Sequence, residues 1–519
     1  MRTSVPVRQP AATLLLAKPL LRAYCLAYVY TTGPPLFKLL LSIYTQGSKG
    51  RQTIKRVCPS DQLKFNVNPG TRFVADLGLI KVLQVLHTSL DVTRFPFFCG
   101  ALVGGSTFLQ LPLLLFLKSL SKRISVNRRY ISNSAVESLA RFTAALFASW
   151  FSLGLLNSRI EVEKRPSQNE TAVSSAETNS RLTTGSGEAD GQTTQYSRLT
   201  AGRSIDLTLL VGTRAIETLI GDLWGRHKRS RITKCNWTSL EAFLSHYADA
   251  VVFALGSGSV MWAWFYLPYR LPHAYNQWIG EAAEVDNRLI ETLRQAQRGE
   301  FVYGFKKEEE NLLRSMCEDY GWPIEWSDPS KTIPIPCTMV HMHTGPSCHW
   351  HGIVRFCRGF KFAFTMYMPL QVLIRARHPS IRSLKSAIQD AIRSSTFLGA
   401  FVGLFYYSVC LSRTLVGPKI VPRSVVSEIQ MDKGLCVAAG CLMCGWSILI
   451  ETQKRWQEFA FFVAPRALAT ITPRQYERKY LWREQLAFSL STATLFTYAQ
   501  SDPEKVRGML GKLLRSLLN

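Results

Sequence analysis

Between Cys337 and Cys357 the chain gathers three cysteines and four of its nine histidines: Cys337, His341, His343, Cys348, His349, His351 and Cys357. Thiolate sulfur and imidazole nitrogen at this density are donors for a tetrahedral zinc site, with Cys337, His341, His343 and Cys348 as the candidate ligands. Ten residues separate Cys337 from Cys348, which is not the spacing of a paired CxxC knuckle. Two other readings therefore stand beside zinc. The two cysteines could close a disulfide in an oxidising space, or the histidines could line a membrane surface beside Arg355, Arg358 and Lys361. No Asp or Glu lies between Cys337 and Cys357. A catalytic metal needs an open coordination position and a nearby general base, so this absence argues against a metal-dependent membrane enzyme and for a chain without catalytic turnover.

A second set of chemically capable residues is charged. Arg214 and Glu217 stand three apart inside an apolar run and share one face of a helix. Ionisable groups within a membrane segment are costly, so a cavity or transport role is one expectation. A structural ion pair, or a helix end from which both side chains snorkel, is the other and is favoured for so short a run. Arg466 repeats the arginine later in the chain, but Ala469 stands where a second glutamate would be. The cysteines Cys441 and Cys444 have CxxC spacing but sit in an apolar run, where they read as small helix-packing residues. Twelve cysteines without a secretory h-region or close even spacing do not form a disulfide framework.

The elements that must position these groups are apolar. Runs fall at about 95–117, 139–156, 205–223, 248–268, 395–412, 435–450, 456–471 and 485–499, in two sets of four. Several are short against the roughly 20 residues that span a hydrocarbon core. Gly100 and Gly104 in the first set, and Gly399 and Gly403 in the second, are four apart, a spacing that lets helix backbones approach closely in lipid. The two glycine blocks also match as sequence, Gly100-Ala-Leu-Val-Gly104 against Gly399-Ala-Phe-Val-Gly403. Three further matches keep the same order: Pro35–Leu40 with Pro369–Ile374, Trp150–Leu153 with Trp446–Leu449, and Val211–Leu219 with Val463–Ile471. The expectation is an all-α, polytopic helical membrane protein made of two tandem repeats of about four transmembrane helices each.

Composition supports that class. The net charge is +26 and is spread through short connections such as Lys118–Arg129 and Arg226–Lys234, as membrane-flanking loops would have it. A nucleic-acid binder would gather its charge on one face with an interleaved motif, and none is present, so no nucleic-acid partner is expected. Residues 1–60 carry nine Lys or Arg and no acid, the make-up of an organellar targeting region or of a basic amphipathic helix on a membrane surface. The domain reading is a basic region over 1–94, a first membrane repeat over 95–268 with a disordered polar loop at 158–204, a polar connector over 269–336, a Cys/His-rich segment with an interfacial helix over 337–375, and a second repeat over 376–519. Asn169 in the loop is a formal glycosylation sequon. Within the connector, Glu281–Arg298 has a helical pattern.

The string Pro336-Cys-Thr-Met-Val-His-Met-His-Thr-Gly-Pro-Ser-Cys348, followed by Gly359-Phe-Lys361 and Tyr367-Met-Pro-Leu370, resembles the cysteine-rich module of the transmembrane protein 135 family. Ser395–Ile471 resembles that family's later helices around the Leu-Gly-Ala-Phe block. The resemblance covers the second half and, more weakly, the first; here the cluster stands at mid-chain, and the corresponding region near Tyr24 and Cys25 lacks histidines. It implies a multi-pass protein of peroxisomal or mitochondrial membranes, linked to organelle dynamics and lipid handling. The helices also resemble the four-helix subunits of the mitochondrial inner-membrane import translocase and their peroxisomal relative, which carry glycine-spaced motifs. The functional expectation is an organellar membrane protein with the bilayer, further copies of itself or other membrane proteins as partners, acting as a scaffold or a conduit for lipids or metabolites. The alternatives are a metal-dependent membrane enzyme and a subunit of a protein-translocation channel.

Overall fold

The structure is a computed structural model that describes residues 12–46, 82–125, 132–158, 200–301, 312–332, 334–376, 380–416 and 430–518. Most of the polar loop at 158–204 with its Asn169 sequon, much of the acid-free first 60 residues, and the charge run 306–310 lie outside the described residues.

Among the described residues the chain is all-α apart from one two-residue antiparallel pair, β1 (Thr200–Ala201) with β2 (Tyr476–Glu477). The longer helices are α1 (Ala12–Gln46), α2 (Phe95–Ser125), α3 (Asn133–Leu156), α4 (Ile205–Thr233), α5 (Ser239–Tyr266), α6 (His273–Ala283), α7 (Asn287–Arg298) and α8 (Leu312–Tyr320). They continue with α9 (Cys337–His341), α10 (Cys348–Arg375), α11 (Ile381–Leu411), α12 (Cys436–Cys444), α13 (Gln453–Ile471), α14 (Leu481–Ser501) and α15 (Gly508–Leu518). Each of the eight apolar runs falls in a helix. Among the described residues five segments are long and apolar enough to cross a membrane: Phe95–Lys122, Asn133–Leu156, Ser239–Tyr266, Ile381–Leu415 and Met431–Ile450. This is the make-up of a membrane protein in a lipid bilayer, with fewer spanning segments than four per half. Charge sets two of the remaining runs apart: α4 carries Arg214, Glu217, Asp222 and Arg226, and α13 carries Lys454, Arg455, Glu458 and Arg466 within 19 residues, whereas α14 has only Arg483 and Glu484 but is diluted by Ser, Thr and Gln.

Contacts divide the chain into two units, Met1–Thr208 with Gln475–Asn519, and Leu209–Arg474. In the first unit α2 packs between α1 and α3. Gly100 lies under Tyr24 of α1, and a Cβ on Gly104 would come within 2.4 Å of Leu20. On α3 the buried face is Ala140, Ala144, Ala145, Ala148, Ser149 and Ser152, a stripe of small residues that lets neighbouring backbones close in. The unit is completed by α14, which packs on α3 and sets Phe488 against Phe98 in a tilted contact with ring centroids 6.0 Å apart. Glu484 at its start is buried and accepts from Ser204 Oγ at 2.6 Å, from Thr208 Oγ1 at 3.1 Å and from the Tyr476 hydroxyl.

In the second unit α10 and α11 form the tightest helix pair. A Cβ on Gly399 would stand 2.9 Å from the Phe356 carbonyl oxygen, one on Gly403 would stand 3.1 Å from Phe356 Cβ, and Gly359 Cβ would lie 3.3 Å from Gly399 Cα. Next to α11 comes α12, and α5 closes on both α12 and α13. Gly258 meets the Cys441 carbonyl, Gly445 meets the backbone of Ala254, and Gly256 meets Val463. A capping box starts α5: Thr238 Oγ1 accepts from Glu241 N at 3.3 Å while Glu241 Oε2 accepts from Thr238 N at 2.8 Å. The helical pattern of Glu281–Arg298 is broken at Glu284, which adopts φ +48° and ends α6, because Asp286 caps a new helix, α7, by accepting from Arg288 N at 2.9 Å.

The units do not follow the halves of the sequence: α14 and α15 belong to the first unit, and most of α4 with α5 to the second. The late helix α14 closes the first unit, and the early helix α5 closes the second.

Candidate functional site

The Cys/His segment is placed by a buried clamp on its first residues. Arg413 and Asp432 form an ion pair at 2.8 Å, with side chains 5% and 0% exposed. Asp432 Oδ2 accepts from Ile335 N at 3.1 Å, and Arg413 donates to the Ile335 carbonyl. That fixes Pro336 and Cys337 beside the end of α11. In α9, Cys337 and His341 are one helical turn apart, so Cys337 Sγ lies 3.4 Å from His341 Nε2. Met342 at φ +54° and Gly345 at φ +84° then reverse the chain. This returns Cys348, the first residue of α10, to within 3.7 Å of Cys337, sulfur to sulfur.

The fourth group comes from α11. Cys410 Sγ is 3.3 Å from His341 Nε2, and the donor atoms of Cys337, His341, Cys348 and Cys410 all lie within 4.8 Å of one another. These four can hold a metal ion. The cysteines are free thiols, their sulfurs well beyond the roughly 2.05 Å of a disulfide bond. A hydrogen bond to Cys410, with His341 and Arg413 beside it, holds the Cys337 thiol well below its ordinary value, at about 4. Burial, and the charge on Cys337, push Cys348 up.

His343, a candidate ligand by sequence, is not in the group. It stacks on Tyr320 with ring centroids 4.5 Å apart, because the left-handed turn at Met342 sends it to the other side of the chain. Cys410 takes the fourth position. Nothing local in the sequence marks it: it stands in an apolar run, 62 residues past Cys348, where a cysteine reads as a small helix residue. Cys357 is exposed, and His349 meets the Tyr407 hydroxyl at 3.2 Å.

His351 stacks on His341 at 4.5 Å and is fully buried, with Nδ1 2.5 Å from Thr344 Oγ1. Desolvation, then Arg355 and His341, hold it down to about 3, so the ring is neutral. Tyr406 meets His351 edge-on and carries the Arg355 guanidinium over its face at 4.5 Å. Arg355, 1% exposed, donates to the carbonyls of Ala283 at 3.1 Å and Glu284 at 3.2 Å.

The second feature of this unit is a cavity of about 730 Å³ among α5, α6, α10, α11 and α13. Its walls are apolar and largely aromatic, including Phe253, Trp264, Phe265, Tyr275, Trp278, Phe397, Phe401 and Phe459. Polar groups gather at one part of the lining: Ser394, Arg455 and Glu458. Glu451, whose side chain is 0% exposed, accepts from Ser394 Oγ at 2.6 Å and pairs with Arg455 at 3.3 Å.

Arg214 and Glu217 form an i,i+3 ion pair at 3.9 Å, with Arg214 buried and its guanidinium 3.8 Å over the Phe461 ring. Arg466 sits over Phe462 and Tyr275. Neither α4 nor α13 is among the five segments of the described residues that are long and apolar enough to cross a membrane. Comparison with protein-family models, with curated proteins and with solved structures finds no match for this chain.

Proposed function

We propose that the chain is a non-enzymatic multi-pass protein of a peroxisomal or mitochondrial membrane that shelters the hydrocarbon part of a lipid. The observation that carries this is the aromatic cavity. A volume of about 730 Å³ with an apolar wall and a few convergent polar groups is the form of a small-molecule site, and its lining suits acyl chains with a small polar head near Ser394 and Arg455. The resemblance to the transmembrane protein 135 family, with its link to lipid handling at these organelles, points the same way.

The presence of late helices α14 and α15 in the first unit and of early helices α4 and α5 in the second also supports a tandem duplication. In each unit a glycine-bearing helix packs on a preceding helix, α2 on α1 and α11 on α10, and in each a helix from the other half completes the bundle.

The test is lipid content. Chain purified in mild detergent from the organelle membranes should carry bound lipid, read by native mass spectrometry. Ala282→Trp, which places an indole in the cavity, should reduce that lipid several-fold while leaving thermal stability within a few degrees. Equal lipid in both proteins, or none in either, would overturn the reading. A fluorescent fusion imaged against both organelle markers tests the location, and signal in the secretory pathway would refute it.

A further inference from the structure

We propose that Cys337, His341, Cys348 and Cys410 bind one Zn²⁺ in a closed, structural Cys₃His site that fastens the end of the spanning helix α11 to the turn ahead of α10. The site is independent of the lipid reading above.

Three of the six donor–donor distances are those of a coordination tetrahedron, and the other three lie within 4.8 Å. With Zn–S near 2.3 Å and Zn–N near 2.0–2.1 Å, tetrahedral angles put two sulfur ligands about 3.8 Å apart and a sulfur and a nitrogen about 3.5 Å apart. The observed edges are 3.7 Å for Cys337–Cys348, 3.4 Å for Cys337–His341 and 3.3 Å for His341–Cys410. Four protein donors fill all positions of such an ion and leave none for water or substrate, which separates a structural from a catalytic site.

The surroundings prepare the ligands. His341 is fully buried, and its Nδ1 lies 2.9 Å from the Gly345 carbonyl. Donation of Nδ1–H to that oxygen leaves the Nε2 lone pair aimed at the sulfurs, the outer contact that metal-bound histidines generally have. Three soft thiolates and one imidazole select zinc over magnesium or calcium, which prefer oxygen. The clamp of Arg413 and Asp432 on Ile335 sets Cys337 in place from the same end of α11 that supplies Cys410.

The ligands also come from separated parts of the chain. Cys337, His341 and Cys348 form one local turn, whereas Cys410 belongs to a helix long and apolar enough to span a membrane. An ion held by all four therefore resists separation of that turn from the helix end. Zinc binding to thiols releases protons, and its free energy adds to folding.

Full-length protein purified with reductant and without added chelator should contain one zinc per chain by elemental analysis. X-ray absorption at the zinc edge should show three sulfurs and one nitrogen. Cys410→Ser should weaken zinc affinity at least about tenfold, as loss of even an outer contact can do, whereas His343→Ala and Cys357→Ser should retain it. Because Cys410→Ser could fail to fold, the unmodified protein supplies a second readout. Chelation should lower its thermal midpoint, and Zn²⁺ but not Mg²⁺ should restore it. Reduced protein that neither contains zinc nor takes up an added equivalent, a midpoint indifferent to chelation, or zinc retained at full affinity in Cys410→Ser would overturn the proposal. So would a Cys337–Cys348 disulfide found by peptide mapping of protein isolated without reductant.

Discussion

Arg355 shows what single residues do in this chain. Burying a guanidinium is costly unless its donors find partners, and here Nη1 donates to the two carbonyls that end α6 while Nη2 faces the Met342 sulfur at 3.6 Å. One of these belongs to Glu284, a non-glycine residue at φ +48°, a conformation that costs on the order of 1 kcal/mol. The Arg358–Glu284 pair at 3.2 Å helps to hold it there. Arg355→Met keeps the packing against Tyr406 and leaves Ala283 O the Tyr406 hydroxyl at 2.8 Å, but it takes the donor from the Glu284 carbonyl, so it should cost about 1–3 kcal/mol. A thermal scan in detergent should show the midpoint falling by several degrees, with Arg355→Lys recovering part of it. One of the sequence readings set Arg355 on a membrane surface beside the histidines, because an arginine among aromatics usually snorkels. Its burial depends on a carbonyl pair some seventy residues away, which no local pattern reveals. The same separation hid Cys410, while the one-turn spacing of Cys337 and His341 and the nearby Cys348 were legible because they are local.

At the scale of elements, glycine separates contact from propensity. Gly399 is pressed against the Phe356 carbonyl, whereas nothing stands within 4 Å of a Cβ on Gly225 in α4. Gly399→Leu should therefore force α10 and α11 apart and shift the protein to aggregates on size exclusion. Gly225→Ala should instead stabilise by about 0.5–1 kcal/mol, since only backbone entropy changes there. A monodisperse Gly399→Leu protein of unchanged stability would show that the pair tolerates the added bulk. Helix starts give a pH prediction. The Arg288 side chain and backbone hydrogen bonds hold the Asp286 carboxyl below its ordinary value of 3.8. A carboxylate with a lowered native value binds fewer protons than in the unfolded chain, so its contribution is complete above about 3.8 and is lost as pH falls through the lower native value. Asp286→Asn, which retains the cap oxygen, should flatten that part of the stability curve as followed by circular dichroism. The eight apolar runs were readable as helices because burial writes itself into composition. The break at Glu284 was not, because the 3.6-residue pattern continues across it and only the cap chemistry of Asp286 interrupts the backbone.

At the scale of the whole molecule, the order of packing departs from the order of the chain. Two sets of four apolar runs, read along the chain, suggest two bundles, each built from one half, whereas the first unit is closed by α14 and the second by α5. Apolar periodicity tells which face of a helix is buried but not which partner buries it, so this exchange lies beyond sequence patterning. It has a consequence for truncation. Ending the chain after Arg474 removes α14 and with it Phe488 against Phe98, the buried Glu484 that accepts from Ser204 and Thr208, and β2, the partner of β1. α3 would lose one of its two packing partners and keep α2, while α5, α10, α11, α12 and α13 would keep every contact described for them. Hydrogen exchange of the truncated protein in detergent should show amide protection in α2 and α3 falling at least about tenfold, the change that 1.4 kcal/mol of lost local stability produces, with 381–411 and 436–450 unchanged. Uniform loss across both units would mean that the second depends on the first for its stability. Unchanged protection in α2 and α3 would mean that α14 is an ornament on a bundle already complete, and the exchange of helices would have no energetic content.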